Sequence, residues 1–137
     1  MSENQILIIP CSGIGKPFGT ISRDATFRVV DGLRVGKADT NCLSLLVMGD
    51  DDATRQIRES RCIAVDGCPL ACARKNIEIA GGEIAAYFRV MDLLRENKGL
   101  RPREVTFLDE DGEKLAGMLA ERIAIKVDEL RGESRED

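Results

Sequence analysis

The chain has 137 residues, 43% of them apolar, and a net charge of −4, which suits a single core and argues against a general nucleic-acid surface built on clustered Lys and Arg. No apolar run approaches a membrane span, and MSENQILIIP lacks the basic start, long apolar stretch and cleavage site of a signal peptide, so a cytoplasmic protein with no membrane partner is expected. Aromatic residues amount to 4% with no Trp, leaving Ile, Leu, Val, Met and Ala to fill the core, as in sheets covered on both faces.

In chain order, QILIIP (residues 5–10) is a short continuous apolar run closed by Pro10, Cys11, Ser12 and Gly13, the pattern of a buried strand that ends in a tight loop. From Thr20 to about Leu33, Ile21, Ala25, Val29 or Val30, and Leu33 recur at helical spacing, with Gly32 and Gly36 as stop signals. Residues 38–50, ADTNCLSLLVMGD, allow two readings: a strand through Val47, or a strand that ends at Cys42 and passes into a helical turn. Asp51 to Arg61 is polar and helix-competent, and CIAVDG (62–67) is a β-branched run closed by glycine.

Pro69 to Ala80 predicts a helix with Cys68 as its N-cap, Pro69 at its first position and Gly81 as its stop. Ile84 to Val90 reads as a strand, residues 91–103 as charged and turn-rich, and residues 104–108 as a strand or a helical entry. From about Asp111 to Arg131, Leu115, Met118 or Leu119, Ile123, Val127 and Leu130 mark one stripe of a long amphipathic helix, followed by a frayed tail. The expected fold is α/β: a single three-layer domain over residues 1–137, Rossmann-like, with a mostly parallel sheet and a long C-terminal helix.

Five cysteines and no histidine occur in this sequence. In a reducing compartment an odd set of thiols points to metal ligands or reactive groups rather than a disulfide framework. Cys11 and Cys68 each follow a hydrophobic strand directly. In an open parallel sheet the loops after the strands lie on one edge, so these two thiols can meet there. Cys72, four residues beyond Cys68, shares a helix face with it if the helix starts where expected. Four thiolates suit a tetrahedral zinc site with bonds of about 2.3 Å, and an iron–sulfur cluster takes the same ligand set. Cys42 can join only if its strand ends there; if the strand instead runs from Cys42 to Val47, Cys42 lies at the opposite edge. Cys62, at the start of a strand, reads as a small core hydrophobe.

CSGIGKPFGTISR, NCLSLLVMGD and VDGCPLACARKNIE followed by a glycine pair together resemble the DGC-domain family, named for its Asp-Gly-Cys motif, over about Ile6 to Gly82. The resemblance implies four family cysteines at Cys11, Cys42, Cys68 and Cys72, with zinc as the metal and no established reaction. Cys62 falls outside that pattern, and the last third of the chain carries no signature.

Other chemistry at the same edge has weaker support. CSGIGKPFG lacks one of the two glycines of a Walker loop and has Pro17 where that loop requires Ser or Thr after Lys16, and Pro17 also stands where a cysteine-dependent phosphatase needs arginine. Ser12, Lys16, Thr20 and Arg23 either hold a small anion or cap and solvate the first helix. A thiol enzyme or sulfur carrier with Cys11 or Cys68 as the reactive thiolate, taking a thiol as partner, is the alternative to metal binding. With no histidine, Asp66 is its nearest acidic candidate for a base; the other role for Asp66 is to bond loop N–H groups. An adaptor role for the C-terminal helix rests on its apolar stripe alone.

Overall fold

Ile6–Pro10 (β1) is apolar and buried along its whole length, as a strand covered on both faces must be. The structure is a computed structural model and describes residues 6–11, 17–41, 47–67, 71–103 and 108–132. Within it the chain forms β1, helix α1 (Pro17–Arg28) running into a π-helical turn (Val29–Leu33), β2 (Asp39–Thr40), α2 (Asp51–Glu59), β3 (Arg61–Asp66), α3 (Cys72–Ile79), β4 (Glu83–Arg89), α4 (Val90–Glu96) and α5 (Glu110–Arg131). The four strands make one parallel sheet in the order β2-β1-β3-β4.

The period of two along each strand sorts the side chains into two layers. Ile6, Ile8, Ile63 and Val65 face a core closed by Ile21, Ala25 and Val29, by Val90 and Leu93 of α4, and by Leu115, Leu119, Ile123 and Val127 of α5. Leu7, Ile9, Cys11, Cys62 and Ala64 face the other side, closed by Ala53 and Ile57 of α2 and Ala73 and Ile77 of α3. The architecture is therefore three-layered, with α1, α4 and α5 on one face of the sheet and α2 and α3 on the other.

β4 breaks the simple alternation. Cys62 pairs with Ile84 but Ile63 pairs with Ala86, so a bulge at Ala85 inserts one residue. Ile84 and Tyr87, three apart, thereby both pack in the α2/α3 layer, while Ala86 and Phe88 pack in the other.

Several boundaries differ from the sequence reading for identifiable reasons. α1 begins at Pro17 rather than Thr20, since a proline at the first helical position needs no partner for a missing N–H. Its end widens, the Arg34 N–H bonding the Val29 carbonyl at 2.8 Å. β2 ends at Thr40, and Val47 is helical, which removes the reading of a strand running through Val47. The charged stretch after β4 contains α4, unannounced because no glycine or proline separates it from the strand. α5 matches its expected span, capped by the Asp109 carboxylate on the Gly112 N–H at 2.8 Å; its stripe is core against α1, which leaves the adaptor reading without its surface. Residues 104–107, most of the expected strand or helical entry there, lie outside the described residues, as do 133–137.

Candidate metal centre

After β1 the chain goes to α1 on one face of the sheet and after β3 to α3 on the opposite face, so the carboxyl ends of these neighbouring strands form the switch point at which ligands of open parallel sheets bind. Cys11 follows β1 at that point. Its N–H continues the ladder to the Val65 carbonyl at 2.8 Å, and its side chain is fully buried in the α2/α3 layer. The Cys11 Sγ accepts the Gly67 N–H at 3.0 Å, and the Ser22 Oγ stands 3.7 Å from it. Ser22, itself buried, donates to the Gly19 carbonyl at 2.8 Å.

Gly67 is the glycine of the Asp-Gly-Cys motif, and its place in the structure explains it. A Cβ there would stand 2.5 Å from the Phe18 carbonyl oxygen and 2.9 Å from the Gly19 nitrogen. Only glycine lets the loop after β3 approach the start of α1 closely enough to aim its N–H at the Cys11 sulfur.

Asp66 ends β3 on the same side of the sheet and is fully buried. Its carboxylate accepts the Ala73 N–H at 2.8 Å and the Arg74 N–H at 3.2 Å, so it caps α3 from across the intervening loop. Asp66 thus bonds backbone N–H groups, as one of its two expected roles has it, and those groups lie in the first turn of α3. The helix expected from Pro69, with Cys68 as its N-cap, begins instead at Cys72. Ala71 occupies the cap position in the left-handed conformation, with φ at 58°. Cys68 and Cys72 are consequently not joined by one helical turn. Cys72 is half-buried as the first residue of α3 and packs against the cluster that contains Cys11.

Tyr87 completes this side. Its phenol is held protonated, its pKa pushed up to about 12 first by burial and then by the charge and hydrogen-bond acceptance of Asp66. The Arg74 guanidinium lies over its ring, 5.4 Å from the centroid. Neither Tyr87 nor Ala71 figures in the sequence reading. That Tyr87 is the chain's single tyrosine is the one signal that could have drawn attention to it.

Cys62 stands apart. It faces the same layer but at the amino-terminal end of β3, roughly 13 Å along the strand from Asp66. Burial, and then the charge of Glu83, push its thiol up to about 12, and its S–H points to the Ile57 carbonyl at 3.6 Å. On α1, Arg23 donates to the Thr20 Oγ1 at 3.3 Å, a contact within the helix. Ser12, Lys16, Cys42 and Cys68 lie outside the described residues.

Among the described residues no group of three or more Cys, Asp or Glu side chains is placed to hold a metal ion. The two described family cysteines still fit one chemically. Cys11 takes a backbone N–H on sulfur, the outer-shell bond that steadies a ligating thiolate, and Cys72 starts a helix whose dipole favours negative charge. Among the described residues no helix is long and apolar enough to cross a membrane.

Neither the curated proteins nor the solved structures contain a match to the chain. The family model of the DGC domain matches residues 7–111, beyond the three blocks that carry the resemblance and through β4 and α4 to the first turn of α5. The chain belongs to the DGC-domain family.

Proposed function

We propose that this protein binds a metal ion, zinc before an iron–sulfur cluster, through the thiolates of Cys11, Cys42, Cys68 and Cys72 at the carboxyl edge of the sheet. The observation that carries the reading is the buried Cys11 sulfur, which accepts the Gly67 N–H at 3.0 Å where the β1 and β3 loops meet. In the sequence Cys68 directly follows Gly67 and Cys42 directly follows Asn41, both residues beyond the ends of described strands; the two cysteines themselves lie outside the described residues. Four thiolates close the coordination sphere, and such a site ties loops together without offering an open position for substrate. The setting proposed is the cytoplasm, and no reaction is assigned.

The alternative, a thiol enzyme or sulfur carrier, needs an accessible thiolate. Full burial of Cys11 argues against it as that group and leaves Cys68 as the remaining candidate.

Elemental analysis of protein purified without added metal, with thiol titration before and after chelation, separates the two. About one zinc per chain, with thiols released together by the chelator, supports the metal site. Folded, metal-free protein with one fast-reacting thiol supports the enzyme. Visible charge-transfer absorption with iron and sulfide in place of zinc would move the assignment to a cluster.

A further inference from the structure

Local preference would start α3 at Pro69, with Cys68 as its cap. The helix starts instead at Cys72, and Ala71 stands before it at a left-handed φ of 58°, which no residue inside a right-handed helix adopts. Ala71 brings no side-chain acceptor to the N–H groups of the first turn, the service an N-cap side chain performs for the second and third helical residues. Those two residues are Ala73 and Arg74, and their N–H groups go to the last residue of β3: the two oxygens of the buried Asp66 carboxylate accept them at 2.8 and 3.2 Å. Bonds to a charged acceptor are the strong kind, so the cap supplied from β3 prevails over the start that the local sequence favours. The same strand end serves the other thiol. Gly67, next to Asp66, gives its N–H to the Cys11 sulfur at 3.0 Å, so two consecutive residues hold the cysteine after β1 and the helix that begins with Cys72.

We propose that Asp66 is a positioning residue for metal binding: by taking the Ala73 and Arg74 N–H groups it fixes the start of α3 at Cys72 and so sets the Cys72 thiol relative to Cys11. The inference rests on the metal site proposed above for its consequence, but its structural half is independent of any metal. Without the carboxylate, α3 should grow backward through Ala71 toward Pro69 and carry Cys72 from the first residue of the helix into its interior. Outer-shell partners orient ligands, and removing one typically changes metal affinity by about 10- to 100-fold.

The test compares the full chain with Asp66→Asn, using Co(II) as the metal probe and, in the metal-free protein, amide exchange and the φ of Ala71 read from its backbone scalar couplings. Asparagine keeps the shape of the side chain but has one acceptor oxygen in place of two and no charge. The variant is expected to keep the protection of its β1 amides, to exchange the Ala73 and Arg74 amides faster, and to move Ala71 from the left-handed to the helical region. It should bind Co(II) about 10-fold more weakly and shift the thiolate charge-transfer bands at saturation. A residue that served stability alone would leave those bands in place, as Cys62→Ala, a core change at the other end of β3, is expected to do. Wild-type Co(II) affinity and bands in folded Asp66→Asn would overturn the proposal, as would an Ala71 that stays left-handed while Ala73 and Arg74 keep wild-type protection. If wild-type protein takes up no Co(II), the metal site fails, and Ala71 with these two amides decides the positioning. Should Asp66→Asn not fold, Asp66→Glu replaces it: the charge stays, the anchor moves by one methylene, and the same criteria apply.

Discussion

The N–H of Gly67 and the sulfur of Cys11, 56 residues apart in sequence, meet at 3.0 Å because β1 and β3 are neighbours and end at the same level of the sheet. One residue further on, the chain carries Cys68. The contact thus links the two strand-end cysteine loops, and it exists only while Gly67 lacks a side chain.

Gly67→Ala should therefore disturb both stability and the site. The added methyl meets backbone atoms of Phe18 and Gly19, which cannot turn aside as a side chain would, so a loss of about 1–3 kcal/mol is expected. Urea denaturation gives the first effect and metal content the second. An alanine variant as stable and as metal-loaded as wild type would show that this close approach has no role.

Serine substitutions sort the cysteines. Cys11→Ser, Cys42→Ser, Cys68→Ser and Cys72→Ser should each lower bound metal severely, while Cys62→Ser keeps it and loses about 1 kcal/mol or more by burying a hydroxyl in an apolar layer. Metal content beside thermal stability reads out the difference. Equal metal loss in Cys62→Ser would return that residue to the site.

Alkaline pH should weaken the fold through two groups. The Cys62 thiol is raised from 9.0 to about 12 and the Tyr87 phenol from 10.0 to about 12. Both are bound as neutral acids in the native state, so the stability they contribute is full below pH 9 and is lost between pH 9 and about 12. Cys62→Ala should flatten the loss that begins at pH 9, and Tyr87→Phe the loss that begins at pH 10, in denaturation followed against pH. Unchanged alkaline slopes in both variants would assign the loss to other groups.

Ala71→Gly should stabilise the protein. A left-handed φ of 58° costs a residue with a Cβ about 1–2 kcal/mol, and the extra freedom of glycine in the unfolded chain takes back part of the gain, leaving a net of about 0.5–1 kcal/mol. The chemical denaturation midpoint should rise. A fall would mean that the Ala71 methyl packs usefully beside Cys72.

Much of this protein was legible from its residues taken in order. ILIIP and CIAVD read as strands because unbroken apolar runs leave no polar face, and the stripe from Leu115 to Val127 read as a helix because its spacing admits nothing else. Cys11 and the Asp66-Gly67 pair stood out as strand ends for the same reason. The start of α3 was less legible. Pro69 is a good first helical residue, but the buried Asp66 carboxylate captures the N–H groups of Ala73 and Arg74 and so moves the helix start to Cys72.

What periodicity determined was the conformation of β1, β3 and α5 and the place of Cys11 at a strand end. Only the tertiary structure decided that β1 lies beside β3, that Phe18 crowds Gly67, and that a bulge at Ala85 turns Tyr87 toward Asp66. The physical reason is range: a strand or helix is selected by neighbours a few residues away, whereas strand order and register are selected by how whole layers bury their apolar faces.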